Sequence, residues 1–398
     1  MSEGTEITVS GYEAAREVFR CKDLRQALYD EGDVVMADVL VNLHGADHRA
    51  RRRLENRLFR RDTRVRYERE LFPSIVERTL QPYLELGRAE LVSLSHQMMM
   101  NLAASTAGVD RPLGTPEETF HLYSYMMLFI EGATLAHYEG DRNAKRVEVA
   151  EALAAFDQEF LHPSIERRRQ LIGRCDSGEA AEDDLPRDVL TVLLRNQDDL
   201  ELPPDVVLRE VCFFLLAGAH TSATAFVRTL DSVFDLEPTA LERARSDRGF
   251  LQRCVHETIR LHPSSPVAMR WALEDVDLPS GTHIRAGDKV VIDLLAANQD
   301  DSVFGPHAGV FDPVRELRAG VAPWGLSFGL GMHACIGQEI AAGVDPATEG
   351  PEGDHMYGLV PVAVQAILAA GGRRDLDDPP ALDPESARGY WARYPVVF

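Results

Sequence analysis

The stretch Ser327-Phe-Gly-Leu-Gly-Met-His-Ala-Cys-Ile-Gly337 decides how this chain is interpreted, because its glycines flank a single cysteine. We predict that Cys335 lies where a loop turns into a helix. Glycine lets the backbone adopt positive φ and pass close to a flat group. A cysteine at a helix N-terminus faces free N–H groups and the positive end of the helix dipole, which stabilise thiolate over thiol. A thiolate held in this way can ligate haem iron.

An ordinary buried thiol is the simpler interpretation of a lone cysteine, yet the whole pattern Phe328-x-x-Gly331-x-His333-x-Cys335-x-Gly337 has to be explained. That pattern resembles the haem-ligand signature of the cytochrome P450 family, which is long and specific. The resemblance implies haem b (iron protoporphyrin IX) as cofactor, with Cys335 as the axial ligand of its iron. It further implies that Phe328 and Gly331 lie against the haem and that His333 contacts a propionate.

The pattern of apolar residues predicts a mainly α protein with a small β part. Helical spacing recurs through most of the first 260 residues, and one long helix should begin near Pro204. Its middle, residues 213–219, is apolar on every face, which predicts burial. Short β-like segments come late, at 267–273 and 290–294. The resemblance implies a single P450-like domain over residues 1–398, with the haem between the long helix and the helix after Cys335.

Two features of this domain depart from the family. The strand-rich N-terminal entry looks short or absent, because His48 comes early in the chain. An acidic insertion lies near residues 343–354, after the cysteine.

The long helix contains the string Ala217-Gly-Ala-His-Thr221. Gly218 leaves room beside a ligand, and the Thr221 hydroxyl can bond back to the Ala217 carbonyl and locally open the helix. The resemblance places O2 binding and proton delivery here, with Thr221 as a catalytic residue. The family usually has Asp or Glu directly before this threonine, whereas this chain has His220. Histidine can relay protons near neutral pH, so we assign His220 a catalytic role as well.

A second set of residues resembles the core of the family. Glu257 and Arg260 are spaced i,i+3, which alone is typical of a surface ion pair. The resemblance implies a buried pair that is completed by Arg315. The same string, His256-Glu-Thr-Ile-Arg260, lacks the second histidine of the H-E-x-x-H zinc motif.

Basic residues are candidates for holding the haem propionates. His48-x-x-x-Arg52 resembles the pair on the family's helix beside the cysteine, and Arg270 matches a further contact. Each alone could be a surface cation, but arginine pairs bidentately with carboxylates, and together they favour the haem role. A metal site from His44 and His48 is disfavoured, because Gly45 weakens helical i,i+4 geometry.

Charge and cysteine content exclude several classes of protein. The chain of 398 residues carries 64 acidic and 42 basic residues, a formal charge of −22. Nucleic acid and anionic membranes favour the opposite sign, so we expect neither as a partner. The five scattered cysteines do not form a disulfide or zinc pattern, which fits a reducing compartment and predicts a cytoplasmic protein.

One local stretch opposes the overall charge. Between His48 and Arg69 there are ten arginines and three acids, Glu55, Asp62 and Glu68. The stretch should lie on the cysteine side of the haem, and a basic patch there would steer an acidic ferredoxin or flavodoxin to it. A solvated helix face is the simpler alternative.

The sequence thus predicts a bacterial haem-thiolate monooxygenase that hydroxylates or demethylates a mid-sized organic substrate. Two alternatives stay open: the same fold with peroxide-driven, ring-forming or coupling chemistry, and a non-enzymatic haem sensor or carrier. Substrate contacts are expected in five segments: residues 32–43, 120–137, 213–221, 264–269 and 387–392.

Overall fold

The computed structural model describes residues 4–346, 355–384 and 389–398. These residues form two compact units, which are described separately. The first unit comprises 1–27, 64–95 and 221–398, and the second comprises 28–63 and 96–220. The single domain over 1–398 stays a prediction. Part of the predicted acidic insertion, 347–354, and part of the last predicted substrate segment, 387–388, lie outside the described residues.

Helices dominate the described chain, which confirms the mainly α fold class. The α-helices are α1 (Tyr12–Arg20), α2 (Asp33–Met36), α3 (Gly45–Glu55), α4 (Arg61–Arg66), α5 (Phe72–Leu86), α6 (Leu91–Ala107), α7 (Pro116–Ala133), α8 (Arg142–Phe156), α9 (His162–Asp176), α10 (Val189–Arg195), α11 (Pro204–Phe234), α12 (Pro238–Ser246), α13 (Arg248–Leu261), α14 (Leu294–Ala297), α15 (Asp301–Phe304), α16 (Gln338–Ala342) and α17 (Leu359–Ala369).

The strands are short and all belong to the first unit. They are β1 (Glu6–Val9), β2 (Leu24–Gln26), β3 (Arg88–Glu90), β4 (Val267–Ala272), β5 (Val276–Asp277), β6 (His283–Ile284), β7 (Lys289–Asp293), β8 (Arg373–Arg374), β9 (Ala381–Leu382), β10 (Trp391–Arg393) and β11 (Pro395–Val397). The main sheet has the order β1-β7-β4-β2, with β1 parallel to β7 and the other pairs antiparallel. The N-terminal segment therefore supplies two short strands to this sheet.

The long helix α11 begins at Pro204, as predicted, and is α-helical without interruption to Phe234. The local opening expected near Thr221 is therefore not seen as a break in the helix. By length and composition α11 could cross a membrane, but 56% of its most apolar window is buried, as in the core helix of a soluble protein.

The prediction that residues 213–219 are buried on every face is wrong. Leu215 and Ala219 are buried, but Gly218 is exposed and the remaining residues are partly exposed. Apolar composition shows only that a helix avoids water, and it does not show whether protein covers each face.

A buried ion-pair network in the first unit confirms the prediction for Glu257, Arg260 and Arg315. The Arg260 guanidinium donates through Nε and Nη2 to the two carboxylate oxygens of Glu257, both at 2.7 Å. Arg315 Nη2 donates to Glu257 Oε1 at 3.2 Å. The Arg260 side chain is 0% exposed, so its charge has to be met by buried partners.

The same arginine is tied to the start of the cysteine loop. Arg260 Nη1 donates to the Asn298 carbonyl at 2.5 Å. The Asn298 side chain accepts from Leu326 N at 2.7 Å and donates to Ser327 Oγ at 2.8 Å. Ser327 Oγ in turn donates to the Ile259 carbonyl at 2.8 Å. Ser327, which opens the cysteine loop, is thus bonded to α13 directly through Ile259. It is also bonded to α13 indirectly, through Asn298 and Arg260.

After the cysteine, a segment connects α16 to α17, and the two ends of this segment are held together. Val344 N donates to the Met356 carbonyl at 2.9 Å. The buried Gln252 amide lies within 3.0–3.3 Å of four carbonyl oxygens, those of Ala342, Val344, Met356 and Tyr357. The Glu68 carboxylate accepts from the backbone N–H groups of Tyr357 and Gly358, at 3.0 and 2.7 Å.

Candidate functional site

The cysteine loop of the first unit carries Cys335, and two of its glycines have positive φ. Gly329 and Gly331 have φ of 62° and 70°, a conformation that glycine adopts without strain. Cys335 N donates to the Phe328 carbonyl at 2.8 Å, and this bond closes the loop. Cys335 is exposed. The helix α16 begins at Gln338 and is only five residues long. The predicted loop-to-helix transition is present, but a helix this short supplies a weak dipole.

The other cysteines lie in different surroundings. All five are free, and Cys212 and Cys254 are buried. Burial raises the pKa of Cys212, and it raises that of Cys254 to about 12. These two side chains therefore remain thiols, whereas Cys335 is accessible to a ligand.

Gly331 brings the cysteine loop against α1. A Cβ atom on Gly331 would lie 2.5 Å from the Phe19 carbonyl oxygen, so only glycine fits this contact. The Phe19 ring lies 5.2 Å from the guanidinium carbon of Arg270, which is buried in β4. Arg270 Nη1 donates to Gln26 Oε1 at 2.7 Å. The structure thus brings Arg270 close to the loop through Phe19.

Sequence reasoning missed Phe19 and Gln26. Phe19 was one apolar residue of an amphipathic helix, and Gln26 belongs to a strand of three residues. Neither belongs to a motif, so no local signal could have identified them.

The two predicted propionate contacts in the second unit lie one helical turn apart on α3. His48 is buried, and burial, followed by the nearby charge of Arg52, lowers its pKa to about 4. The imidazole is therefore neutral at pH 7 and can donate one hydrogen bond. Arg52 is half-buried, and its Nε donates to Asn56 Oδ1 at 3.1 Å.

The same unit contains Gly218 and His220 of α11. A Cβ atom on Gly218 would meet only Ala103 Cβ, at 3.5 Å, so this part of the helix surface has open space in front of it. His220 is half-buried and lies near His96 of α6. Burial, and after it the charge of His220, lowers the pKa of His96 to about 4. The His96 ring stacks on Tyr123 at 4.5 Å. Sequence reasoning did not identify His96, because a lone histidine in a helix carries no signature.

Thr221 belongs to the first unit and is exposed, although it lies in the middle of α11. Ser264 Oγ donates to the Thr221 carbonyl at 3.2 Å. Ser264 opens the predicted substrate segment 264–269, and this bond links that segment to the predicted catalytic threonine.

These residues fit a haem as judged by their chemistry. An exposed thiol on a glycine-rich loop can ligate haem iron, and the buried guanidinium of Arg270 beside that loop suits a propionate carboxylate. Among the described residues, no group of three or more His, Cys, Asp or Glu side chains could hold a metal ion.

Comparisons with known proteins agree with this class. The family model of cytochrome P450 matches residues 143–342, half of the chain. The chain belongs to the cytochrome P450 family. Nocardicin C N-oxygenase from Nocardia uniformis subsp. tsuyamanensis is 28% identical over 311 residues, which cover 77% of this chain and 69% of that protein. Cytochrome P450 55A3 from Fusarium lichenicola is 32% identical over 133 residues, or 33% of this chain and 31% of that protein.

Solved structures confirm the fold. P450BioI, solved in complex with an acyl carrier protein ligated to hexadec-9Z-enoic acid, matches 98% of this chain and 91% of its own with a TM-score of 0.75 and 20% identity. For most of the curated relatives, the chain matches about a third of their length. Haem is the cofactor of the family, and the predicted class of enzyme, a P450-type oxidoreductase, is confirmed at the family level.

The exposure of Cys335 leads to a test of the predicted iron ligand. We expect the reduced, CO-bound native protein to show the red-shifted Soret band of thiolate ligation, and we expect Cys335→His to lose it, because an imidazole replaces the anionic sulfur. Absorption spectroscopy measures both. Cys175→Ser, which removes a half-buried thiol on α9, is the control and should leave the spectrum unchanged. A native spectrum typical of histidine ligation would contradict the assignment.

Proposed function

We propose that this protein is a haem-thiolate monooxygenase that inserts one oxygen atom of O2 into a mid-sized organic substrate, by hydroxylation or demethylation. The observation that carries the proposal is the exposed Cys335, on a loop whose glycines have positive φ, in a chain of the P450 family. Haem b, when bound, supplies the redox chemistry of O2 activation. Cys335 is the proposed axial ligand, and Phe328, Gly331 and His333 are the proposed haem contacts on its loop.

Three basic residues are the proposed propionate partners: Arg270, His48 and Arg52. Each supplies N–H donors that suit a carboxylate. His48 suits this assignment because an imidazole ring N–H can donate a hydrogen bond to a carboxylate.

Residues of α11 are the proposed proton path. Gly218 leaves the helix surface open, Thr221 places a hydroxyl at that surface, and His220 can hold or pass a proton near neutral pH. The His96 ring close to His220 supports such a role, since a second imidazole extends the possible path.

A second candidate function keeps the fold but uses peroxide-driven, ring-forming or coupling chemistry. The specific observation in its favour is His220, which stands where the family usually has a carboxylate. A third, a haem sensor or carrier, is less well supported, because Thr221 is present.

We infer that electrons arrive at a face formed by four arginines of the second unit. Arg49, Arg53, Arg57 and Arg60 are exposed, follow helical spacing along α3 and the turn after it, and have no ion-pair partner among the described residues. An acidic ferredoxin or flavodoxin is the partner that this charge would steer.

The three acids of the Arg-rich run do not oppose this face. Glu55 is buried, Asp62 pairs with Arg187 at 3.4 Å, and Glu68 is bonded to two backbone N–H groups. Two arginines of the run are not available to a partner, because Arg51 pairs with buried Glu210 and Arg64 pairs with Glu339. The five free cysteines support a reducing, cytoplasmic location.

The proposed reaction is tested by a compound screen followed by isotope labelling. Organic compounds are screened for shifts of the haem spin state, and those that bind are turned over with a surrogate ferredoxin system under ¹⁸O2. We expect one labelled oxygen atom per product molecule by mass spectrometry. An oxidised product that carries no label would support the second function, and no turnover of any bound compound would support a sensor or carrier.

Substitution of His220 tests the proton path. We expect His220→Asp to retain coupling of reductant to product, since aspartate can also carry protons, and we expect His220→Ala to lower coupling about tenfold or more. Coupling is measured as product formed per reductant consumed. If His220→Asp couples better than the native protein, histidine hinders O2 chemistry and the second function gains support.

The docking face is tested by the salt dependence of reduction. We expect the second-order rate of reduction by an acidic ferredoxin to fall steeply with ionic strength, and we expect Arg53→Gln/Arg57→Gln to lower it about threefold to tenfold at low salt. Stopped-flow absorbance gives the rates. Arg169→Gln/Arg174→Gln removes two exposed charges from α9 instead and should leave the rate unchanged. A salt-insensitive native rate would overturn this docking site.

A further inference from the structure

A buried carboxylate of the second unit holds two separate parts of that unit. Glu210 of α11 is 0% exposed. Its two oxygens accept from the backbone N–H of Leu40, at 3.1 and 3.0 Å. Its Oε2 also accepts from Arg51 Nη1 at 2.7 Å, and the Arg51 side chain is almost entirely buried.

Both partners matter for the proposed site. Leu40 opens the short 3-10 helix Leu40–Asn42, which lies in the segment 32–43 expected to contact the substrate. Arg51 belongs to α3, the helix that carries His48 and Arg52. One carboxylate therefore sets the position of a substrate segment and of a helix assigned to the haem.

The residue next to Glu210 supports the same segment. Arg209 Nε donates to the Ala37 carbonyl at 2.7 Å, and Asn42 Nδ2 donates to the Met36 carbonyl at 3.0 Å. Several hydrogen bonds thus hold the segment. The bond from the Leu40 N–H is the one whose acceptor is a buried carboxylate, that of Glu210.

A second buried carboxyl group stands beside this pair. Glu55 lies one helical turn after Arg51, is 0% exposed, and neither of its oxygens has a hydrogen-bond partner among the described residues. Burial and then the charge of Glu210 raise the pKa of Glu55 well above its usual value. Glu210, and not Glu55, is the carboxylate that pairs with Arg51.

We propose that Glu210 is a positioning residue for substrate binding, which fixes the Leu40 backbone and, through Arg51, the helix α3. The proposal rests on the proposed function, because it takes segment 32–43 to face the substrate. A carboxylate that accepts from a buried N–H and a buried guanidinium is difficult to replace, since its loss leaves both donors unsatisfied.

The expected pH dependence follows from the groups around Glu210. The groups that face it are Arg51 and Glu55 from α3 and the Leu40 N–H, and Arg52 faces Glu55. Burial raises the pKa of Glu210 to about 7, against the opposing effects of Arg51 and the Leu40 N–H. Above this value the carboxylate is ionised and holds both partners. As the pH falls below it, protonation weakens the hold on both.

The test uses the haem-loaded protein and two azole probes. Imidazole reports ligation to the iron alone, whereas 4-phenylimidazole also requires space on the substrate side. We expect Glu210→Gln to weaken 4-phenylimidazole binding about tenfold, to leave imidazole binding unchanged, and to accelerate hydrogen exchange of the peptide that contains Leu40. When each affinity is expressed per neutral azole, the ratio of 4-phenylimidazole to imidazole affinity in the native protein should fall between pH 8 and pH 6, and it should be flat in the variant.

Two further variants separate positioning from general destabilisation. Asp188→Asn breaks another buried pair of the second unit, that of Asp188 with Arg168 at 2.7 Å, and should leave the affinity ratio unchanged. Arg51→Met/Glu210→Met removes both charges, so that no unpaired charge is buried, and should still show the weakened 4-phenylimidazole binding and the faster exchange.

The outcomes distinguish the two proposals. If the variants at Glu210 keep the native affinity ratio and the native exchange of the Leu40 peptide, Glu210 does not position the segment. If imidazole and 4-phenylimidazole both fail to bind the native protein, the proposed haem site is wrong, and the substrate role of Glu210 is overturned with it. Weaker binding of both probes in equal measure would assign Glu210 to haem retention instead.

Discussion

The burial of the Arg260 guanidinium is the constraint on which the first unit depends. A fully buried cation is tolerated only when its hydrogen bonds are met, and Arg260 meets them through Glu257 and the Asn298 carbonyl. Asn298 is then held where its side chain bonds Leu326 and Ser327, at the start of the cysteine loop. An electrostatic requirement on α13 thus determines the placement of a loop about 70 residues later, and loss of one partner would cost about 3–5 kcal/mol.

Features with a local signal could be predicted from the sequence. The start of α11 follows from Pro204, the cysteine loop from its glycines, and the Glu257–Arg260 pair from its i,i+3 spacing. The resemblance to the P450 family then added Arg315, which lies 58 residues from Glu257. Motif order carries information about long-range contacts that spacing alone does not.

The contacts that were missed join segments that are far apart in the chain. Phe19 meets Arg270, and Glu210 meets Leu40 and Arg51 across about 160 to 170 residues. None of these residues belongs to a recognisable pattern. Arg51 was counted with the surface arginines for this reason, since nothing in its helix shows that a carboxylate covers it. The partial exposure of Phe213, Phe214 and Leu216 was missed for a related reason, because an apolar pattern does not say what lies in front of a helix.

The two ends of the segment that connects α16 to α17 are bonded to each other, and this has a consequence for the evolution of the sequence. The ends of the segment are joined by the Val344–Met356 bond and by Gln252, and Glu68 holds the second end at Tyr357 and Gly358. Loop-closure entropy rises slowly with length, so a segment whose ends are already held together can gain or lose residues at small thermodynamic cost. Insertions and deletions there should leave the helix that follows Cys335 in place, which makes this position open to evolutionary divergence and to the grafting of new sequences.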